Sequence, residues 1–581
     1  MKNPSTPIPG PRSRRRAFTF LGALFTSVAL LAQPGCDDEE PEPQPQPQPP
    51  EPVRVQVLAF NDFHGNLEAP TGSNGRIRVP ATDGGTAVDV NAGGAAYLSH
   101  HIQALRQENP QNTVVVSAGD LIGASPLASG IFHDEPTIEV MNLMGLDINS
   151  VGNHEFDEGF TELLRMQTGG CHPVDGCQAN PTFPGANFTF LSANVFTDVA
   201  TRKTLLPAYD IREFQGVKVA FIGMTLEGTP LIVNPTGVAG LTFQDEADTV
   251  NALVPELKQQ GVEAIVVVIH EGGLPTGSFD ECPGISGPIK DLAERFDDEV
   301  DVIASGHTHQ AYNCIIDGKR VTSAASNGRL LTDIDIVLDP TTRDVVETTA
   351  RNVIVTRDTP HTLVADFVQA TIGKVAPLRD KVIGLTESGL AAPVRPLPAG
   401  TSGESTLGNV VADAMLAATR SEQTGGAVIA MQNPGGVRAD INAGDITFGE
   451  VFAVQPFANN MVTLTLTGAQ IDTLLEQQFQ PSGTSILQVS QGFAFSWSAS
   501  APRGSKVDPA SITLNGTPLN PAANYRVTVN NFMAGGGDGL AVLTEGRDPR
   551  TGPIDLDVLE AYTRANNPLV TPQLGRITLL P

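Results

Sequence analysis

Val53-Arg54-Val55-Gln56-Val57-Leu58-Ala59-Phe60 runs directly into Asn61-Asp62-Phe63-His64-Gly65. The first eight residues are rich in β-branched and apolar side chains and read as a strand, while the next five set a carboxylate and an imidazole two residues apart. In an extended segment, side chains two apart share a face, so Asp62 and His64 can point at one ion. The same arrangement recurs along the chain. Thr113 to Ser117 leads to Ala118-Gly119-Asp120, and Ser150-Val151-Gly152 leads to Asn153-His154-Glu155-Phe156-Asp157. Ala264 to Ile269 ends in His270-Glu271-Gly272-Gly273, and Val300 to Ala304 in Ser305-Gly306-His307-Thr308-His309. Helical patterns at Ala95 to Asn109 and Ala247 to Gln260 lie between strand-like runs, Val217 to Ile222 among them, which makes this an α/β region. Loops at the carboxyl ends of strands in an open α/β sheet form its ligand crevice, so five motifs spread over nearly 250 residues can converge there.

The donors in these motifs suggest a metal centre. Imidazole and carboxylate without thiolate suit borderline divalent ions such as Zn, Mn, Fe or Co. Two ions sharing one ligand need about seven protein donors. Asp62, His64, Asp120, Asn153, His270, His307 and His309 supply that number, and five of the chain's ten histidines lie in these motifs. Any one histidine taken alone would be a hydrogen-bonded core residue more often than a ligand; the ordered set is what carries the argument. Gly119 and Gly152 allow tight turns beside the ions. His154 is surplus to the ligand count. Next to Asn153, it is placed to donate to a transferring phosphoryl group or a leaving oxygen, and Asp157 three residues on can fix its tautomer.

These motifs together resemble the calcineurin-like metallophosphoesterases. The extended Gly152 to Asp157 motif, with the C-terminal half of the chain, is similar to the bacterial 5′-nucleotidase and UDP-sugar hydrolase family over about residues 53–575. The resemblance implies an α/β protein: a four-layer α/β/β/α metallophosphoesterase sandwich, a linker helix, and a second α/β domain that binds the nucleoside. It implies one ion held by Asp62, His64, Asp120 and His309, and another held by Asp120, Asn153, His270 and His307. The domains expected are 53–357 for the metal domain, 358–380 for the linker helix, and 381–581 for the substrate-binding domain. The linker pattern places Leu363, Val364, Phe367, Ala370, Thr371 and Val375 on one side, with Pro377 expected to stop the helix.

In the C-terminal half, Asn433-Pro434-Gly435-Gly436-Val437-Arg438 sets an amide and a guanidinium around a glycine turn, where Arg438 offers a planar fork to phosphate or ribose oxygens. Gln455-Pro456-Phe457-Ala458-Asn459 and the run from Asn531-Phe532 to Asp538-Gly539 each join a Phe to polar groups. Two Phe faces can clamp a flat base while Asp538 accepts from ribose hydroxyls. As a set, Asn433, Arg438, Phe457, Asn459, Phe532 and Asp538 resemble the family's nucleoside pocket. Thr406 stands where some nucleotidases carry an additional phosphate-binding Arg, a departure that bears on substrate range.

The chain's 581 residues, 40% hydrophobic and 17% charged, provide core for several domains. Its 36 basic against 64 acidic residues, a net charge of −28, argue against electrostatic nucleic-acid binding. Residues 1–35 hold five basic residues and no acid, then an apolar stretch from Ala17 to Ala32, the pattern of an export signal. Arg15-Arg16 resembles a twin-arginine signal, and Gly35-Cys36 resembles a lipoprotein cleavage site that would leave Cys36 lipidated; ordinary cleavage nearby is the alternative. Residues 36–52, mostly Asp, Glu, Pro and Gln, read as an acidic Pro-rich tether. If Cys36 carries lipid, Cys171 with Cys177 and Cys282 with Cys314 remain as two disulfides in an oxidising compartment, against the alternative of a Cys-ligated zinc site.

The expected function is an exported dimetal phosphohydrolase acting on a nucleotide small molecule, as a 5′-nucleotidase. The alternatives are a UDP-sugar or dinucleotide pyrophosphatase, a 2′,3′-cyclic nucleotide phosphodiesterase, a thiosulfate-transfer enzyme, which the two-Phe pocket disfavours, and a surface nucleotide-binding lipoprotein. That last reading would be expected to have lost ligands. Periplasm or cell surface is the expected location, with membrane contact only through a lipid on Cys36, and no oligomeric state is implied.

Overall fold

The protein is described here by a computed structural model covering residues 50–80, 87–457, 459–481 and 483–581. The export signal, Cys36 and the tether up to residue 49 lie outside the described residues. Two six-stranded sheets form the N-terminal half. The first runs Val345–Ile354, Leu330–Leu338, Val53–Phe60, Thr113–Ser117, Ile148–Ser150, Thr189–Leu191; the second runs Ala311–Ile316, Lys319–Ala324, Val300–Ser305, Ala264–Ile269, Val217–Met224, Tyr209–Phe214. The central strands of each are parallel and almost wholly buried, as strands covered on both faces must be.

Period-two alternation decides which layer each side chain joins. Val53, Val55, Val57 and Ala59 pack with Val114 and Val116 against Val219, Phe221, Val266 and Val268 of the other sheet, forming the core between the sheets. Leu58, Phe60 and Val115 point the opposite way, into a core shared with helices Ala95–Arg106, Glu135–Met144, Phe160–Thr168 and Thr362–Arg379. On the far side, Ile265, Val267 and Ile269 meet helices Glu246–Gln259 and Pro288–Arg295. The result is a four-layer α/β/β/α sandwich.

The helix after this sandwich differs in two respects from expectation. It spans Thr362–Arg379 and contains Pro377 instead of stopping before it. In the last turn the missing amide forfeits one bond to the Gly373 carbonyl, while buried Val375 and the ion pairs of Arg379 with Asp380 and Glu68 keep that turn in place. Its buried face is Val364, Val368, Thr371 and Val375; Leu363 is 64% exposed because its position in the first turn faces away from the sandwich.

Beyond it, a five-stranded sheet runs Gln488–Val489, Ile429–Gln432, Asn524–Asn530, Asn460–Thr467, Arg547–Ile554, with a four-stranded sheet beside it. Helix Thr406–Thr419 is capped by Ser405, whose hydroxyl accepts from the Gly408 amide, and packs its apolar face on the larger sheet. Helix Phe448–Val454 begins with a capping box between Thr447 and Glu450 and delivers Phe457 just past its end. Cys171 pairs with Cys177 and Cys282 with Cys314. Among the described residues no helix is long and apolar enough to cross a membrane.

Candidate active site

The strand-end loops of both sheets meet and are stitched together by backbone hydrogen bonds. The Asp62 amide donates to the Gly119 carbonyl at 3.0 Å, the His64 amide to Asp120 at 2.9 Å, and the Asn327 amide to Asp62 at 2.8 Å. Asp62, His64, Asp120, His307 and His309 all lie in the left-handed region, with φ between 49° and 66°. Such residues cost about 1–3 kcal/mol each and persist only where surrounding structure over-determines them. Here the strain turns five side chains toward one point.

Around that point the donors form two groups with one oxygen in common. In the first, His64 Nε2 and His309 Nε2 are 3.1 Å apart, and Asp62 Oδ1 is 3.2 Å from His309 Nε2. The second joins His270 Nε2, 3.0 Å from Asp120 Oδ2, to Asn153 Oδ1, which is 3.2 Å from His270 Nε2 and 3.1 Å from His307 Nδ1. Asp120 Oδ2 also lies 3.7 Å from His64 Nε2, so it faces both groups. His64 and His270 direct Nδ1 to the carbonyls of Gly123 and Ala118, which leaves each Nε2 as the free donor.

These residues fit divalent cations. Asp62 Oδ1 is buried with no hydrogen-bond partner, although Asp62 Oδ2 accepts from Asn61 Nδ2 and the His307 amide. Two imidazole nitrogens face each other across the same spot, and a shared cation is what satisfies all three. Burial, acting against the pull of Asp120, drives the His64 pKa down to about 3; burial with neighbouring His270 takes His307 to about 4. At His270 burial is outweighed by Asp120, which raises the ring to about 10.

Glu155 holds this centre in shape, a role its place in the motif did not reveal. Its Oε2 accepts from the amides of Asp120 and Gly152, and its Oε1 from the Leu121 amide and Asn149 Nδ2. Gly152 has no substitute here, because a Cβ would overlap Asp120 Oδ1.

His154 stands beside the donors. Its amide donates to Asp120 Oδ1, and its Nδ1 lies 2.8 Å from Asp157 Oδ2, leaving Nε2 for the cavity. Burial alone would lower its pKa, but the Asp157 and Asp120 carboxylates outweigh this and hold it above the ordinary histidine value. The Phe457 ring stacks on His154 with centroids 5.8 Å apart and planes 13° from parallel, and the Arg438 guanidinium lies 5.7 Å from the same Phe centroid. Asn433 Nδ2 donates to Asp538 Oδ2 at 2.8 Å, while Asn530 holds Asn433 Oδ1 at 3.0 Å. Phe532 rests on Gly537, where a Cβ would overlap its ring.

His154, Asp157, Asn433, Arg438, Phe457, Asn530, Phe532 and Asp538, with Asn459, line one cavity of about 770 Å³ that also reaches Asn153 and His307. Thr406 is absent from its wall, its hydroxyl accepting from the Ala391 amide. Arg395 lines the cavity instead, so two guanidinium groups face it. Burial, then the charge of Arg395, lowers Arg438 to about 10, which leaves it cationic at neutral pH. Residues 55–311 match the calcineurin-like phosphoesterase family, and residues 382–545 match the 5′-nucleotidase C-terminal domain.

The chain belongs to the calcineurin-like phosphoesterases that carry a 5′-nucleotidase C-terminal domain. Members of this family are metal-dependent phosphoester hydrolases with a divalent metal-ion centre. The chain is 34% identical over 530 residues to Endonuclease YhcR of Bacillus subtilis, covering 90% of this chain and 41% of that protein. It is 32% identical over 524 residues to Cell wall protein Lmo0130 of Listeria monocytogenes, covering 84% and 64%. The chain thus spans less than two thirds of either relative's length. The crystal structure of a 5′-nucleotidase precursor from Thermus thermophilus superposes with a TM-score of 0.71 at 26% identity, covering 91% of this chain and 99% of that one.

Proposed function

We propose that this phosphoesterase is an exported 5′-nucleotidase that hydrolyses the phosphate ester of a nucleotide. Asp62, His64, Asp120 and His309 would hold one divalent ion, and Asp120, Asn153, His270 and His307 a second, of the Zn, Mn, Fe or Co class. Such a pair supplies Lewis acidity that neutralises phosphate charge and makes a nucleophile of water at neutral pH. His154 hydrogen-bonds the phosphoryl group or leaving oxygen from Nε2, and Asp157 holds the proton on Nδ1. Arg438, near Asp157 and Asp120, brings positive charge to the phosphate side of the cavity, and Arg395, near Asp538, adds a second guanidinium beside it. Phe457 and Phe532 bind the base, while Asp538, oriented by Asn433, accepts from ribose hydroxyls and Asn459 lies at the cavity edge.

The stacking of Phe457 on His154 is the observation that carries this reading. A base held by the C-terminal domain then leaves its 5′-phosphate at the metal centre, which a base-independent phosphatase would not require. The two arginines in the cavity support a phosphomonoester even though Thr406 contributes no charge. The names of two relatives, a cell wall protein and a precursor, support export; lipidation of Cys36 belongs to the same proposal. The test is chromatographic analysis of the products formed from AMP, UMP, UDP-glucose, NAD and 2′,3′-cyclic AMP, with nucleoside monophosphates expected to be cleaved fastest, to nucleoside and phosphate. Preferential cleavage of any of the other three would replace the 5′-nucleotidase reading by the corresponding pyrophosphatase or phosphodiesterase.

A further inference from the structure

A second group of ligating side chains lies along the same cavity, outside the seven-donor centre. His133 follows the short helix Leu127–Gly130, Glu158 and Glu162 flank the start of helix Phe160–Thr168, and His172 and Asp175 lie in the loop closed by Cys171–Cys177. The rings of His133 and His172 stack with centroids 3.9 Å apart and planes 16° from parallel. One donor atom from each of His133, Glu158, Glu162 and His172 falls within 4.8 Å of all the others. Asp175 Oδ2 is 3.0 Å from His133 Nε2 and 3.2 Å from His172 Nδ1, and the Asp175 amide also reaches His172 Nδ1 at 3.1 Å.

Two features of this group call for a cation. Glu135, Glu158, Glu162 and Asp175 bring four negative charges; Arg165, paired with Glu135 and Glu162, and a protonated His133 between Glu158 and Asp175 return two. Both nitrogens of His133 also rest on carboxylates, with Glu158 Oε2 2.7 Å from Nδ1. Both contacts are satisfied only by a positive charge at the ring: either a second proton, which burial opposes but Glu158 and Asp175 favour, raising the His133 pKa to about 9, or a divalent cation taken up in its place between Nδ1 and the carboxylates. Moreover, no residue of the 171–177 loop is buried, and Val174 is 85% exposed. The loop therefore has no apolar anchor, and its polar side chains are what attach it to the domain.

We propose that His133, Glu158, Glu162 and His172 bind a third divalent cation of the zinc class, separate from the paired centre and structural in role. Two imidazoles with carboxylates suit a borderline ion better than calcium or magnesium, which prefer all-oxygen sets. Four protein donors make a closed site. Asp175 accepts from His133 Nε2 and so orients that ring with Nδ1 toward the ion. The disulfide presets the loop that carries His172, which lowers the cost of ordering it on binding. Glu158 directly follows Asp157, so the ion braces the segment that holds His154.

The proposal is tested on the full chain, stripped by a chelator and titrated with zinc. Three equivalents are expected for the wild type and two for His172→Ala; uptake of only two by the wild type, or of three by the variant, would overturn it. Should the variant misfold, crystals of the zinc-loaded wild type decide. An anomalous peak at the zinc edge about 2.0–2.1 Å from ring nitrogens of both His133 and His172 is expected, and no peak there defeats the proposal. Loss of the paired centre would show separately as missing peaks at Asp120.

Discussion

Replacing Glu155 by Gln tests whether a buried carboxylate, and not the ions alone, shapes the metal centre. Glu155 is 3% exposed, and its oxygens take four donors at 2.7 to 3.3 Å. Gln has the same outline but presents one oxygen and one NH2. Whichever way the amide turns, two of the four donors meet a donor. An unsatisfied buried group costs about 1–3 kcal/mol, so the loss is roughly 2–6 kcal/mol before compensation. Compensation exists: burial, then the charge of Asp120, raises the Glu155 pKa to about 7, so the native carboxylate is itself held at a cost that Gln relieves. The lower end, about 2–3 kcal/mol, is therefore expected. Hydrogen exchange of the peptide spanning residues 118–123 reads this locally, and should speed up by about 30- to 150-fold in the metal-free protein. Exchange unchanged from wild type would refute the reasoning, because the Asp120 and Leu121 amides would then not depend on Glu155.

His154→Ala should lower kcat by about 10²–10⁴-fold while leaving the metal content at Asp120 unchanged; metal lost with the imidazole would make His154 a ligand. Phe532→Ala should raise KM for AMP by about tenfold or more with little effect on p-nitrophenyl phosphate, since base stacking is worth about 1–3 kcal/mol. Phe457→Ala should in addition slow the substrate without a base, because its ring also supports His154; equal behaviour of the two variants would contradict the stacking of Phe457 on that imidazole. Burial raises the Asp555 pKa to about 7 in the folded state, above its value in an unfolded chain, so the folded form binds the proton more tightly. Stability from this group is fullest below about pH 4 and falls as pH rises toward 7. Asp555→Asn should flatten that loss between pH 5 and 8 in urea midpoints, and an unchanged slope would rule it out.

How much of this was legible before the structure varies with the range of the interaction. The strand Val53–Phe60 and the donors after it are written locally, by alternation and by a two-residue spacing, and the structure begins and ends that strand at the same residues. The seven donors are brought together as their strand-end positions suggest, since parallel strands deliver their loops to one edge. Arg395 was not legible: it belongs to no motif and reaches the cavity only through the path of its own loop. Glu155 stands inside a conspicuous motif, yet its role depends on amides about 35 residues away in sequence. The group at His133 and His172 is assembled from two separate histidines and a disulfide loop, and no spacing rule joins them. Pro377 misled because helix-breaking rules describe an interior position, while the last turn here is held by packing.

Elemental analysis of Asp120→Ala, measured beside the wild type, tests the central claim most directly. Because Asp120 Oδ2 faces both donor groups, its removal should cost both central ions together and abolish phosphate release from AMP, leaving any ion at His133 and His172 in place. A variant that keeps both central ions, or loses only one, would contradict a paired centre built on a shared carboxylate.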